Sequence, residues 1–475
     1  MKTNTKSSNI HFSLGDNFFD KATPAIFPNH VLRFRNNRAA SRLNLDKLND
    51  EDWISYFGKF IRYPGVEHGP LALKYHGHQF GHYNSELGDG RGFLLSQFLD
   101  KSNDLWDLGT KGSGKTNFSR GGDGRLTLKG AVRELLATEL LSSLGVSTSQ
   151  TLSIIETEEN LHRNDEPSPT RSAVLVRRSK SHIRIGTFQR LSYLNEDNNI
   201  EKLTRHVIQN YFPSLNNSEN INILVENFFL ESVKRIATMI GRITAAGFVH
   251  GVLNTDNFNV TGECFDYGPW RFVEFAEPNF TAAYFDYNKR YSFGRQPEAA
   301  LWALTQLGNS LSSFLNEKKI NQILNEFSNF FNNSLSAHFC WRLGIKDVGA
   351  KNINKIIQIL LKISVEYKID FSSFFYDFYG GSQSISDCLN SFHGAKYKNE
   401  AFFEIISFLK KTDAEEGCLE KRVFFKDQPE NLLIEEVERI WDQIDKNDNW
   451  TFLEDKIDRI RVMGDLLGAK KLVNF

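Results

Sequence analysis

Cysteine is scarce in this 475-residue chain: Cys264, Cys340, Cys388 and Cys418 are the only four, and no two form a C-x-x-C pair. Such spacing indicates neither a disulfide framework nor a zinc knuckle, and a reducing, cytoplasmic compartment is expected. An excess of either charge is lacking too. Lys+Arg number 57 against 58 Asp+Glu, a formal net charge of -1, so no nucleic-acid polyanion is expected as the main partner. No apolar run approaches the length that spans a bilayer, and Met1 to Asp20 lack the apolar stretch of a secretory signal. No membrane partner is expected. The same residues contain no Arg and do contain Asp16 and Asp20, unlike a transit peptide. Internal repeats and long low-complexity linkers are also missing.

What is present is an ordinary globular composition, 40% hydrophobic and 24% charged, long enough for two or three lobes. The first forty or so residues read as a polar, irregular extension with helical character only around Asn44 to Tyr56. From Gly69 to about Gln189, short segments bounded by turn signals read as strands: Gly92 to Phe98, Leu105 to Leu108, Gln150 to Glu156 and Ser172 to Val176. One helix interrupts them, with Val132, Leu135, Leu136 and Leu140 on one stripe and Gly145 as its stop. After Asn195 the pattern becomes helical. Phe229, Val233, Ile236, Ile240 and Ile243 define a helix ending at Gly247, and helices recur at Ile356 to Ile363, Phe402 to Leu409 and Leu432 to Ile444. The fold class is α+β, a small sheet with one key helix followed by a mainly helical part.

Gly109 to Thr116 satisfies the G-x-x-x-x-G-K-[ST] pattern of a phosphate-binding P-loop, in which Lys115 would be essential. A P-loop needs a helix immediately after it, because the helix N-terminus and the loop amides hold the phosphates together. Here Asn117 to Arg125 is turn-rich, which favours a different use: Lys111 at a strand end, with Gly112 and Gly114 making a turn. The P-loop NTPase stays as an alternative.

The stronger constellation follows the Gly247 helix. His250-Gly-Val-Leu-Asn254-Thr-Asp256-Asn257 is followed nine residues later by Asp266-Tyr267-Gly268. Phosphoryl or nucleotidyl transfer needs hard oxygen ligands for metal ions and a carboxylate near the incoming hydroxyl. Asp256, Asn257 and Asp266 supply that set in the order of a kinase, although Asp and Asn are adjacent here instead of five apart. Taken singly, an Asp-Asn pair or an Asp-x-Gly is a turn. Upstream partners change the weighing. Lys111 and Glu134 fit the phosphate-contacting lysine and its orienting helix glutamate, and Leu87-Gly88-Asp-Gly90-Arg91-Gly92 could let amides approach phosphate. Arg177, Arg178 and Arg184 crowd one region, where they serve either as a triphosphate grip or as a solvated face. His76, His78 and His82 lack a Cys or acidic companion, and structural hydrogen bonding is expected of them in place of zinc.

Read together, these segments resemble the selenoprotein O family of pseudokinases from about Phe19 to Leu343. The matching pieces are Gly77 to Gly81, Leu87 to Arg91, Lys111 to Gly114, Phe118 to Arg125, Arg133-Glu134, His182 to Phe188, His250 to Asn257, Asp266 to Pro269 and Gln296-Pro297. The resemblance implies a protein-kinase-like fold and transfer of AMP from ATP to Ser, Thr or Tyr hydroxyls of protein substrates, with the nucleotide inverted relative to ordinary kinases. It implies Asp256 as general base, Asn257 and Asp266 as ligands of magnesium or manganese, and Lys111 on phosphate paired with Glu134. Gly88, Gly90, Arg91, Asp123, Gly124, Arg177 and Arg184 would line the nucleotide. Asp123 has no role that spacing alone assigns. The chain then divides into an N-terminal extension packed on the core (1–68), a sheet-rich nucleotide-binding lobe (69–195), a helical catalytic lobe (196–345) and a divergent helical region (346–475). A monomer is expected. A catalytically inactive nucleotide-binding scaffold is the other reading. Beyond Leu343 the family's usual C-terminal segment and near-terminal selenocysteine or cysteine are not evident, which argues against redox control through a terminal thiol.

Overall fold

The computed structural model describes residues 5–164, 166–390, 393–418, 421 and 429–473. Among these, thirteen strands are numbered in chain order: β1 (Lys6–Ser8), β2 (Phe19–Lys21), β3 (Val31–Arg35), β4 (Leu71–Leu73), β5 (Gly77–Gln79), β6 (His82–Asn84), β7 (Leu94–Leu99), β8 (Leu105–Lys111), β9 (Leu126–Thr127), β10 (Gln150–Leu161), β11 (Thr170–Ser179), β12 (Phe248–Val249) and β13 (Arg271–Phe272). Nine of them form one sheet in the order β2-β4-β7-β8-β11-β10-β3, with β1 on β7 and β9 on β11. Every pairing in it is antiparallel. The remainder, from Ile185 onward, is largely helical.

The expected strands appear; β8, β10 and β11 run longer than their apolar kernels, while β7 starts at Leu94 instead of Gly92 and ends at Leu99. β11 continues through Arg177 and Arg178, and β8 through Gly109 to Lys111, because ladder hydrogen bonds hold polar residues extended where packing demands it. The N-terminal segment differs from its reading as irregular. β2 and β3 close the two edges of the sheet, and β1 adds to β7. These strands are only three to five residues long, too short for an alternation to be detected; pairing with preformed neighbours makes them.

One face of the sheet packs on the helix Leu128–Ser143. Thr127 caps its start by accepting from Gly130 N–H at 3.1 Å, and Gly145, at φ +72°, turns the chain away at its end. Leu135, Leu136 and Leu140 bury completely, in one hydrophobic core that also takes in the strands and the long helix Ile221–Ala245. The far side of this helix is braced by the C-terminal helix Thr451–Leu467. A Cβ on Gly464 would stand 2.7 Å from Ser143, so only glycine permits that approach. Arg461 locks the contact with two bonds of 2.8 Å to Glu139. Among the described residues no helix is long and apolar enough to cross a membrane.

Candidate active site

The antiparallel register of β8 and β11 sets Lys111 opposite Leu175 and Gly109 opposite Arg177. Residues two apart share a face, so Lys111 and Arg177 project to the same side, toward the helix that carries Glu134. Lys111 Nζ lies 2.5 Å from Glu134 Oε2, and Arg177 Nη1 lies 3.3 Å from Glu134 Oε1. Glu134 is 1% exposed; it sits off the apolar stripe, yet it is buried because these cations meet it there.

The third partner arrives from the helical part. The helix Ile221–Ala245 ends at Gly247 (φ +72°) and feeds β12, the loop from His250 and a short turn at Thr255–Asn257. Gln296 pins this loop by accepting from His250 N–H at 3.1 Å and donating to Phe248 O at 2.9 Å. His250 hydrogen-bonds through Nε2 to Phe265 O at 2.9 Å, next to Asp266. Asp266 holds a left-handed φ of +61° and presents its carboxylate to three cations: Arg177 at 2.6 Å, Lys111 at 3.3 Å, and Arg184. Burial alone would raise its pKa; Arg177, Arg184 and Lys111 overcome that and hold it well below the usual carboxylate range. Burial, by contrast, depresses Lys111 despite Glu134 and Asp266.

These groups line one open cleft of about 770 Å³. Of the residues singled out in the sequence, Gly88, Gly90, Arg91, Lys111, Asp123, Gly124, Arg177, Arg184, Asp256, Asn257 and Asp266 all border it, and Glu134 stands directly behind Lys111. Burial raises Asp256 to about 6, against the opposing pull of Arg184. Its Oδ1 is buried with no hydrogen-bond partner among the described residues. Asn257 donates Nδ2 to Val252 O at 2.8 Å, which fixes the amide so that its oxygen is the atom that could serve a ligand. The amide oxygen of Asn257 and the Asp266 carboxylate are hard-oxygen groups of the type that suits magnesium or manganese, and the orphaned Asp256 oxygen stands beside them. Among the described residues no cluster of three or more His, Cys, Asp or Glu side chains could hold a metal unaided. Any ion at this cleft would therefore depend on the amide and on ligand oxygens.

The Gly109 to Thr116 pattern is not a P-loop here. Gly109 to Lys111 are strand, Lys115 is exposed, and no helix follows before Leu128. The glycines at 88 and 124 have a packing reason: a Cβ on Gly88 would stand 2.3 Å from the Phe118 ring, and Gly124 (φ +70°) lies against Gly114 O. The histidine-rich segment is the β5–β6 hairpin. Its backbone grips the loop below, His78 N–H donating to Thr255 Oγ1 at 2.7 Å and Phe80 N–H to Asn254 Oδ1 at 3.0 Å. His76 bonds Tyr83 at 2.7 Å and His78 bonds Gln189 at 2.8 Å.

Three residues of the cleft escaped the sequence reading. Asp89 meets Arg184 at 3.2 Å and accepts from Leu73 N–H, and its place between Gly88 and Gly90 was the available signal. Arg163 pairs with Asp123 at 2.8 Å across forty residues, and Tyr75 lies under Arg184 at 4.5 Å. Neither has a local signature.

Comparison with known proteins finds relatives along nearly the whole chain. The family model described as Protein adenylyltransferase SelO matches residues 2–461, past Leu343 where the motif-level resemblance ends. A Protein nucleotidyltransferase YdiU of Synechocystis sp. is 40% identical over 94% of this chain and 96% of its own length. That of Trichodesmium erythraeum is 39% identical with the same coverage, and that of Trichormus variabilis 45% identical over 77% of this chain and 74% of its own. A motif order, a cleft and a near full-length match agree: the chain belongs to the SelO family of protein adenylyltransferases.

Proposed function

We propose that this chain transfers AMP from ATP to Ser, Thr or Tyr hydroxyls of other proteins, in a kinase-like cleft between a sheet lobe and a helical lobe, with the ATP inverted so that its α-phosphate meets Asp256. The observation that carries the reading is the convergence of Lys111, Arg177 and Arg184 on Asp266, beside the partnerless Oδ1 of Asp256. The names of the relatives, protein nucleotidyltransferases, agree with it.

In this reading Asp256 accepts the proton of the incoming hydroxyl. A carboxyl raised to about 6 is ionised near neutral pH and still basic enough to take that proton. The hydroxyl oxygen bonds to the α-phosphorus, the bond from that phosphorus to the bridging oxygen breaks, and pyrophosphate leaves. Lys111, Arg177 and Arg184 offset the charge gathering on pyrophosphate, held in place by Glu134 and Asp89. Asn257 and Asp266 would hold magnesium or manganese, which supplies Lewis-acid neutralisation of the phosphate oxygens. Gly88, Gly90, Arg91, Asp123 and Gly124 line the rest of the nucleotide.

Incubation with ATP labelled at the α-phosphate tests this: label becomes acid-stable on protein, and Asp256→Asn abolishes it while ATP binding stays within a few-fold. Label arriving only from the γ-phosphate would make the chain a kinase. Bound ATP with no transfer would make it a scaffold.

A further inference from the structure

Arg177 and Arg178 are neighbours on β11 and therefore point to opposite faces of the sheet. Arg177 enters the cleft. Arg178 enters a second pocket of about 270 Å³, enclosed by the Asn37–Ala40 turn, the Leu128–Ser143 helix and the C-terminal helix. Its lining carries Arg38, Arg42, Arg178, Arg461 and Lys470 against one carboxylate, Glu139.

Four of these cations have acidic partners. Arg461 is bound to Glu139, Arg42 to Asp100 at 2.7 Å, and Arg38 and Lys470 share the exposed Asp465. Arg178 has none among the described residues. It is 7% exposed, and its guanidinium donates only to neutral oxygens, Ala39 O at 2.9 Å and the side chain of Gln150. A guanidinium has five N–H donors, so three remain, and its Nε is buried without a partner. A second positive charge is held close by: Arg42 and Arg178 lie on the same Trp106 ring at 4.6 and 4.5 Å. Burial, with the Arg42 charge, lowers Arg178 to about 9 against the opposing pull of Glu263 and Asp100. Glu263 and Asp100 act on it only from a distance, without an ion pair, and a buried guanidinium with free donors and no directly bonded carboxylate is costly unless an anion joins it.

We propose that this pocket is a binding site for a small phosphate oxyanion, inorganic phosphate or pyrophosphate, held by Arg178 at its base and by Arg38 and Lys470 at its rim. The site is separate from the cleft but shares its scaffold. The anion would sit on the strand residue next to Arg177 and beside Glu139, on the same helix as Glu134. It also joins the C-terminal helix to that helix at the seam where Gly464 meets Ser143. This inference does not depend on the transfer reaction.

Calorimetric titration of the full chain with pyrophosphate, and separately with inorganic phosphate, tests it; the tighter titrant identifies the source. Binding is expected to weaken at least tenfold in Arg178→Gln. The rim pair Arg38→Gln with Lys470→Gln, on exposed side chains, is expected to weaken it as much and covers the case in which the buried substitution fails to fold. Asp465→Asn, which releases both rim cations, is expected to tighten binding several-fold, an effect that a purely structural ion pair would not produce. Absence of binding, or binding of either oxyanion that none of these substitutions alters, overturns the proposal.

Discussion

Arg184 shows how much one side chain holds together. Its guanidinium meets Asp266, lies 3.2 Å from Asp89 and donates to Asp256 O at 2.8 Å, while its plane covers Tyr75 at 4.5 Å and Phe265 at 4.8 Å. No ammonium can fork to three acceptors and stack on two rings at once. Arg184→Lys, which keeps the charge, is therefore expected to lower unfolding stability by about 2 kcal/mol or more, read in urea, and to cut adenylyl transfer at least tenfold. Equal stability and activity would show that charge alone is needed there. Gly88 makes the complementary case, a residue valued for what it lacks. Gly88→Ala drives a methyl into the Phe118 ring, a clash of the kind that costs about 1–3 kcal/mol. The variant is expected to raise the KM for ATP by displacing the 118–124 loop that borders the cleft, and Phe118→Leu in the same chain is expected to restore part of the loss. No recovery in the double variant would mean that Gly88 serves the ligand directly.

At the scale of elements, the N-terminal segment is held by a buried cluster that the sequence did not announce. Between β1 and β2, His11 is 3% exposed; its backbone N–H donates to Gln97 Oε1 at 2.7 Å, and both ring nitrogens lack partners among the described residues. Its ring meets His206 edge-on at 5.8 Å, and the buried Asp107 lies near both. Burial lowers His11 from 6.5 to about 4, with Asp107 opposing, and lowers His206 to about 3. The folded chain therefore stays neutral at His11 while the unfolded chain takes up a proton as pH falls through 6.5. Stability is lost between pH 6.5 and about 4, by about 3 kcal/mol for His11 alone, and levels off below. Urea unfolding across that range should show the acid limb, and His11→Phe should flatten it by about one proton without loss at pH 7. An unchanged slope would remove His11 as its source. The same elements mark what could be read in advance. The Leu128–Ser143 helix, the β8, β10 and β11 kernels and the 250–257 loop were legible because period and turn chemistry are local. The edge strands β1 to β3, the Arg163 pair with Asp123 and the hairpin grip on Asn254 were not, because each exists only through a partner distant in sequence.

The whole molecule presents a balance of charge across one cleft. Lys111, Arg177 and Arg184 face Glu134, Asp89 and Asp266, so the folded chain meets its own cations with its own carboxylates. Binding of ATP with a divalent metal would exchange partners without upsetting that balance: phosphate oxygens for the arginines, the metal for Asp266. Asp266 is already satisfied by Arg177, Arg184 and Lys111, so the fold is expected to stand without the ion. Two consequences follow from the same charges. A chelator is expected to abolish adenylyl transfer and to leave the unfolding transition of the ligand-free chain where it was. ATP and metal together, at a hundred times the dissociation constant, are expected to add about 2.7 kcal/mol, whereas either alone adds less, because the triphosphate without the metal would compete with Asp266 for Arg177 and Arg184. Thermal unfolding in the four combinations of ATP and metal reads both. A transition lowered by the chelator alone would make the ion part of the fold, and equal stabilisation by ATP with and without metal would separate Asp266 from the ion's site.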